Sequence, residues 1–338
     1  MKRHLSLVSL ILFFFTALQA NDSTITKAIF EDFYQPDKIL EITLQFDCKK
    51  IIRQKNKQEK FPASITYQCA NGEMITRSIK VRTRGKLRLD ICGFPPLKLD
   101  FNKKNLQTEN FVPEIDEIKM VTHCSNLSRS DQNVAKEFLT YKLYNLITEY
   151  SFRVQLLNVR YLDEKGELFA ENLAFLIEPT DALAMRLNCR ESEARLRTTS
   201  ALHPDVHADL LLYEYMIGNV DWDISALHNA KLLQPLKGGA YIPVPYDFDI
   251  SGVVRAHYAA PQDRVKQRFV GQRMLLGEFV SEDCFNASVQ RFLDAEEAIM
   301  NTCANFTYLD EKEREKIVDY LEPFFEKIKN PNISPGKF

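Results

Sequence analysis

Residues 215–252 read YMIGNVDWDISALHNAKLLQPLKGGAYIPVPYDFDISG. This window holds two Asp-x-Asp pairs, Asp221/Asp223 and Asp247/Asp249, together with His228-Asn229 and the turn-prone Gly238-Gly239. Carboxylates set among apolar runs are seldom core fillers, because a buried charge needs a partner or a metal. The two pairs flank a pattern that predicts a β-hairpin: residues 230–234, a turn at the two glycines, then residues 241–245. A hairpin sets its ends side by side, so the Asp221/Asp223 loop and the Asp247/Asp249 turn are expected to meet. Carboxylates gathered with an Asn and a His suit a hard divalent cation and the handling of phosphate.

Outward from this window, helical patterns dominate the second half of the chain, over residues 205–216, 284–304 and 310–329. The first half is β-rich between residues 38 and 101. Residues 39–46 alternate apolar and polar, residues 63–69 continue that period, and Asn71-Gly72 supplies a turn before residues 74–84 and 97–101. In the last of these Leu97, Leu99 and Phe101 share a face, which puts Lys98 and Asp100 on the other. Residues 131–148 predict a helix with a broad apolar face. Residues 152–161 and 168–178 read as two strands joined at Asp163-Glu164-Lys165-Gly166. This order implies two lobes with a cleft between them.

The chain has 338 residues, 45% hydrophobic and 27% charged, enough to bury a sizeable core. Its net charge of -2 gives no case for a nucleic-acid binder. Lys2, Arg3 and His4 precede apolar residues 5–18, and Gln19-Ala20 leads into polar Asn21-Asp22-Ser23. That is the layout of a secretory signal peptide, with cleavage expected after Ala20. The expectation is an exported chain, periplasmic or extracellular, with no stable membrane insertion once residues 1–20 are removed. Seven cysteines in such a chain predict at least one disulfide, whose connectivity sequence does not fix. None of the spacings suits a zinc site.

Taken together, Gly218-Asn219-Val220-Asp221, His228-Asn229 and Tyr246-Asp247-Phe248-Asp249 resemble the CotH kinase family and, more distantly, HipA-like kinases. Upstream, Val81-Arg82-Thr83-Arg84-Gly85 and Pro96-Leu97-Lys98-Leu99 look like that family's Arg-Gly strand and lysine-bearing strand. Phe175-Leu176-Ile177-Glu178 looks like the strand entering its hinge. The resemblance covers residues 75–255. It implies an α+β fold of two protein-kinase-like lobes: a β-rich N-terminal lobe over 21–180 and a mainly helical C-terminal lobe over 181–338.

The function it implies is Mg²⁺-dependent transfer of phosphate from ATP to a protein substrate. The base is Asp221 or Asp223, since Asn229 follows at eight and six residues respectively. Asn229 with Asp247 or Asp249 would hold the metal. Lys98 would reach the nucleotide phosphates, with Glu137 as its partner, Arg82 and Arg84 adding charge and Glu178 at the hinge. The chain has no Gly-x-Gly-x-x-Gly, so the segment from Arg82 to Arg88 would have to serve as the phosphate cradle. Two other readings stand beside this one. One is a catalytically inert envelope-assembly or binding protein; the other is a divalent-metal hydrolase using the same carboxylates with His228.

Overall fold

In a computed structural model, residues 27–69, 71–125, 128–196 and 198–338 are described; the expected signal peptide lies outside them. Seven strands close into a barrel: β1 (Leu40–Gln45), β2 (Phe61–Gln68), β3 (Met74–Thr83), β4 (Leu97–Phe101), β5 (Glu117–Val121), β6 (Val154–Leu162) and β7 (Leu168–Ile177). Around the wall the order is β1-β2-β3-β4-β5-β7-β6. Every pairing is antiparallel except the closing one, where β6 runs parallel to β1 from Leu40↔Leu157 to Gln45↔Leu162. Period-2 alternation sends Ile42, Leu44, Ile65, Val81, Leu99, Met120, Val159 and Leu176 into one interior cluster. Phe33 packs on Tyr67 and Phe101, while Phe94 and Phe46 pack on Tyr161.

Short helices decorate the barrel: α1 (Phe30–Phe33), α2 (Cys48–Arg53), α3 (Leu87–Ile91) and α4 (Lys103–Thr108). The longer α5 (Ser128–Asn145) lies against β6 and β7. Beyond the barrel come α6 (Thr180–Arg186), α7 (Pro204–Ile217), α8 (Glu282–Ala304) and α9 (Glu311–Ile328). A small sheet accompanies them, in the order β10 (Ile242–Pro245), β9 (Ala230–Pro235), β8 (Cys189–Ser192).

The expected two-lobed, protein-kinase-like fold is therefore overturned. The hairpin assigned to a hinge, β6–β7, instead closes the sheet. Its outward residues Val154, Leu156, Phe175 and Ile177 belong to the same apolar cluster as Phe138, Tyr213, Phe292 and Phe325 of the helices. A barrel wall buried on both faces joins the helical body through a continuous core, where the kinase reading required a cleft. Among the described residues, no helix is long and apolar enough to cross a membrane.

α7 is the axle of the helical body. Pro204 opens it at a position where a missing N–H costs nothing, and Val206 to Ile217 are buried without exception. Gly218 ends it with φ +65°, donating to the Tyr215 carbonyl at 3.1 Å. A Cβ there would meet the Tyr320 hydroxyl, which would have to shift, and would strain the left-handed backbone as well. This stop delivers the chain into the Asp221 loop.

One disulfide joins Cys92, just past α3, to Cys124, just past β5. The other five cysteines are free. Thiol titration of native protein denatured without reductant should therefore find five thiols, where seven would refute the bridge. Cys92→Ser should lower unfolding stability by about 3 kcal/mol, as expected for opening a loop of this size, measured by denaturant titration.

Candidate functional site

The predicted hairpin forms, with Pro245↔Ala230 and Val244↔Lys231 in register. Its pairing extends one step further, as the Tyr246 N–H donates to the Asn229 carbonyl at 3.0 Å. The two Asp-x-Asp segments are thus neighbours. Asn229 and Asp247 both take left-handed backbone, φ +50° and +68°, unusual for residues with side chains and held only by surrounding contacts.

Asn219 Oδ1 accepts the Asp221 N–H at 3.1 Å. The Asn229 amide donates to the Asp221 carbonyl at 2.7 Å and to its Oδ2 at 3.1 Å. His228 Nε2 lies 3.0 Å from the other carboxylate oxygen. Asp223 faces a different task. Its backbone bridges His228 in both directions at 2.9 Å, and its Oδ1 accepts from the Ser225 hydroxyl (2.6 Å) and the Ala226 N–H (3.0 Å). The Ser225 bond, above all, holds its carboxyl below the usual range. Asp221 is thus the carboxylate held by Asn229 and His228, while Asp223 closes a turn.

α5 supplies the floor. Glu137 and Tyr141, one helical turn apart, are both buried. The Asp247 N–H donates to the Tyr141 hydroxyl at 2.8 Å, and Phe248 stacks edge-on against the same ring. Asp249 is buried and accepts from the Tyr258 hydroxyl at 2.7 Å. Burial pushes the Glu137 carboxyl far up, and the charges of Asp249 and Asp247 push it further, against Arg88 and Arg84. Burial, with Asp247 next to it, raises Asp249 to about 6 despite Arg88. One oxygen of Glu137 and the Nε of Arg88 are buried without a hydrogen-bond partner.

The basic side comes from the barrel, only partly through the expected residues. Arg84 is placed at the end of β3, where its charge acts on Glu137, Tyr246 and Lys119. Arg82 and Lys98, cross-strand neighbours, both engage Glu117, Arg82 at 3.2 Å. Lys98 therefore spends its ammonium on Glu117, and the expected Lys98–Glu137 pair does not form. Glu178 is fully buried between Arg153 and Arg186, at 2.8 and 3.0 Å, and ties β6, β7 and α6 together rather than facing the cluster.

One basic residue was missed, and another was named only as the far end of the expected cradle segment. Lys119 on β5, opposite Lys98, sits 4.9 Å over the Tyr246 ring. Burial, Arg84 and Lys231 bring its ammonium down to about 8, with Asp247 opposing. Arg88, on α3, donates to the Thr122 carbonyl, in the stretch that the disulfide fastens to α3. The alternation Glu117-Ile118-Lys119-Met120-Val121 was the available signal for Lys119; only the position after Gly85 hinted at Arg88.

The chain matches no known family model and no characterised protein.

A cation is compatible with this donor set, given the unpartnered Glu137 oxygen beside Asp247 and Asp249. Among the described residues no three His, Cys, Asp or Glu side chains form a ready-made metal cage. Mg²⁺ commonly takes one or two carboxylates and completes its shell with phosphate oxygens and water.

Asp249 carries part of the site's cost to stability. With its carboxyl raised from 3.8 to about 6, its favourable contribution is complete below pH 3.8 and lost as pH rises through about 6. Asp249→Asn should therefore stabilise the ligand-free protein at pH 7.5 by about 2–3 kcal/mol and by almost nothing at pH 3.8. Thermal unfolding at the two pH values measures this; equal effects at both would contradict the assignment.

Proposed function

We propose that the protein is an exported phosphotransferase that uses ATP and Mg²⁺ to phosphorylate a protein substrate. The carboxylates and Asn229 are those of the CotH resemblance, carried on a barrel-and-helix scaffold instead of two kinase lobes. The observation that carries this reading is the convergence of Asp221, Asn229 and Asp247 at the hairpin's open end. Cationic Arg84, Arg88 and Lys119, from the barrel side of the molecule, act electrostatically on the same group of carboxylates. Phosphoryl transfer asks a protein mainly for positioning and charge balance, and this arrangement offers both.

Asp221, fixed by Asn229 and His228, would accept the proton of the attacking hydroxyl. Asp247 and Asn229, with Asp249 behind them, would hold the cation, which supplies charge neutralisation to the phosphates. Lys119 takes the role expected of Lys98, and Arg84 and Arg88 form the phosphate cradle. Glu137 would turn its unpartnered oxygen to the cation. The inert binding-protein reading draws support from one observation, the commitment of Lys98 to Glu117.

Calorimetry with ATP and Mg²⁺, paired with a phosphate-transfer assay, tests the proposal. Asp221→Asn should lose about 10²–10⁴-fold in transfer while binding nucleotide nearly as before. Asp247→Asn should weaken Mg²⁺-dependent ATP binding about tenfold or more, roughly 1.4 kcal/mol. No binding by wild type would favour the inert reading; unchanged binding in Asp247→Asn would remove that residue from the cation site.

A further inference from the structure

Beside the acid cluster, where α5 faces α9, lies a cavity of about 550 Å³. Its charge is opposite in sign. Lys136, Arg255 and Lys316 line it against a single carboxylate, Glu313, so three positive charges and one negative leave an excess of two. Glu313 is shared, at 3.1 Å from Lys136 and bonded also to Lys316.

Lys136 shows that the excess is felt. Its side chain is 9% exposed, and one shared carboxylate is thin compensation for a buried ammonium. Burial pushes its ionisation down, and the charges of Lys316 and Arg255 add to that against Glu313. Arg255 is held in a left-handed backbone at φ +47°. Its Nε donates to the Gly252 carbonyl at 2.9 Å and its guanidinium lies 5.1 Å over the Tyr320 ring. Among the described residues its terminal nitrogens take no hydrogen-bond partner. A guanidinium fixed by a ring and one backbone bond is prepared for an oxyanion, because its fork need not be ordered on binding. Asn133, also lining the cavity, has a buried amide nitrogen without a partner.

We propose that this cavity binds a small phosphate monoester. The dianionic phosphate matches the excess of two charges and sits among Lys136, Arg255 and Lys316. The rest of the molecule lies on Val253, Ile317 and Tyr320, the apolar part of the wall. The site is separate from the Asp221–Asp249 cluster and stands whether or not that cluster transfers phosphate.

Calorimetry at pH 7.5 without nucleotide or divalent metal tests it, with inorganic phosphate and phenyl phosphate as probes and phenol as the uncharged control. Phenyl phosphate should bind about tenfold more tightly than inorganic phosphate, and phenol should not bind. Arg255→Gln and Lys316→Gln, both at exposed side chains, should each weaken phenyl phosphate about tenfold while leaving the ligand-free melting temperature unchanged. Asp247→Asn should bind it as wild type does. No binding of either phosphate at about 10 mM would overturn the proposal, as would binding preserved in both cavity variants. Equal affinity for the two phosphates would overturn the monoester assignment and leave a site for free phosphate.

Discussion

Helix α5 has to be dry on nearly all sides, and much of the molecule follows from that constraint. It covers the barrel wall at β6 and β7 and is itself covered by the helical body, so Val134 through Tyr141 are all buried. Yet Lys136 and Glu137 stand next to each other in the middle of it. Adjacent residues on a helix point about 100° apart, so one cannot neutralise the other. Each must find compensation in its own direction. Glu137 finds the charges of Arg88 and Arg84, with Asp249 and Asp247 acting against them; Lys136 finds Glu313 on α9. Two buried charges on one helix thus generate an acidic cluster on one side and a basic cavity on the other.

Local patterning made the elements legible and left their closure hidden. The strands at β1 to β4, the β6–β7 and β9–β10 hairpins, and the long helices were all readable, because alternation, helical periodicity and turn residues act over short stretches. The meeting of Asp221, Asn229 and Asp247 was readable for the same reason, being a consequence of one hairpin. The barrel was not. Its closing contact pairs Leu40–Gln45 with strand residues far along the chain, in a parallel register that no turn specifies. At the start of β6 and the end of β7 the outward residues Val154, Leu156, Phe175 and Ile177 are as apolar as the inward ones, which blurs there the alternation that would have marked them as barrel wall.

The misjudged cations have an equally physical origin. The expectation for Lys98 rests on the likeness of Pro96-Leu97-Lys98-Leu99 to a lysine-bearing strand; it does point outward from β4 as read, but the strand beside it also carries Glu117 on the same face. Glu117 lies diagonally across from Lys98, about 7–8 Å away and within reach of a long side chain, so the pairing was settled by register, a quantity absent from the sequence of β4 alone. Glu178 is the converse case. It follows an apolar strand and reads as a hinge carboxylate, while Arg153 and Arg186 consume all of its hydrogen-bonding capacity. A carboxylate satisfied by two guanidinium groups is a structural tie. One left with an unpartnered oxygen, as in Glu137, is where a ligand would be rewarded.

The acid cluster and the basic cavity share a loop. Asp249 is anchored by Tyr258, while Gly252, Val253, Arg255 and His257 from the same stretch line the cavity. Charge alone then sets the sign of their interaction. The cluster has four carboxylates, Glu137, Asp221, Asp247 and Asp249, and with no bound cation they repel one another; the cavity's three cations do likewise. An anion in the cavity adds negative potential at the cluster and so favours a cation there, and the effect is reciprocal by linkage. The coupling is electrostatic and needs no conformational change. It weakens with salt where the charges are exposed and persists where they are buried. Arg255 and Lys316, at the open rim, would contribute the salt-sensitive part, and Lys136, sealed beneath Glu313, the part that salt cannot reach.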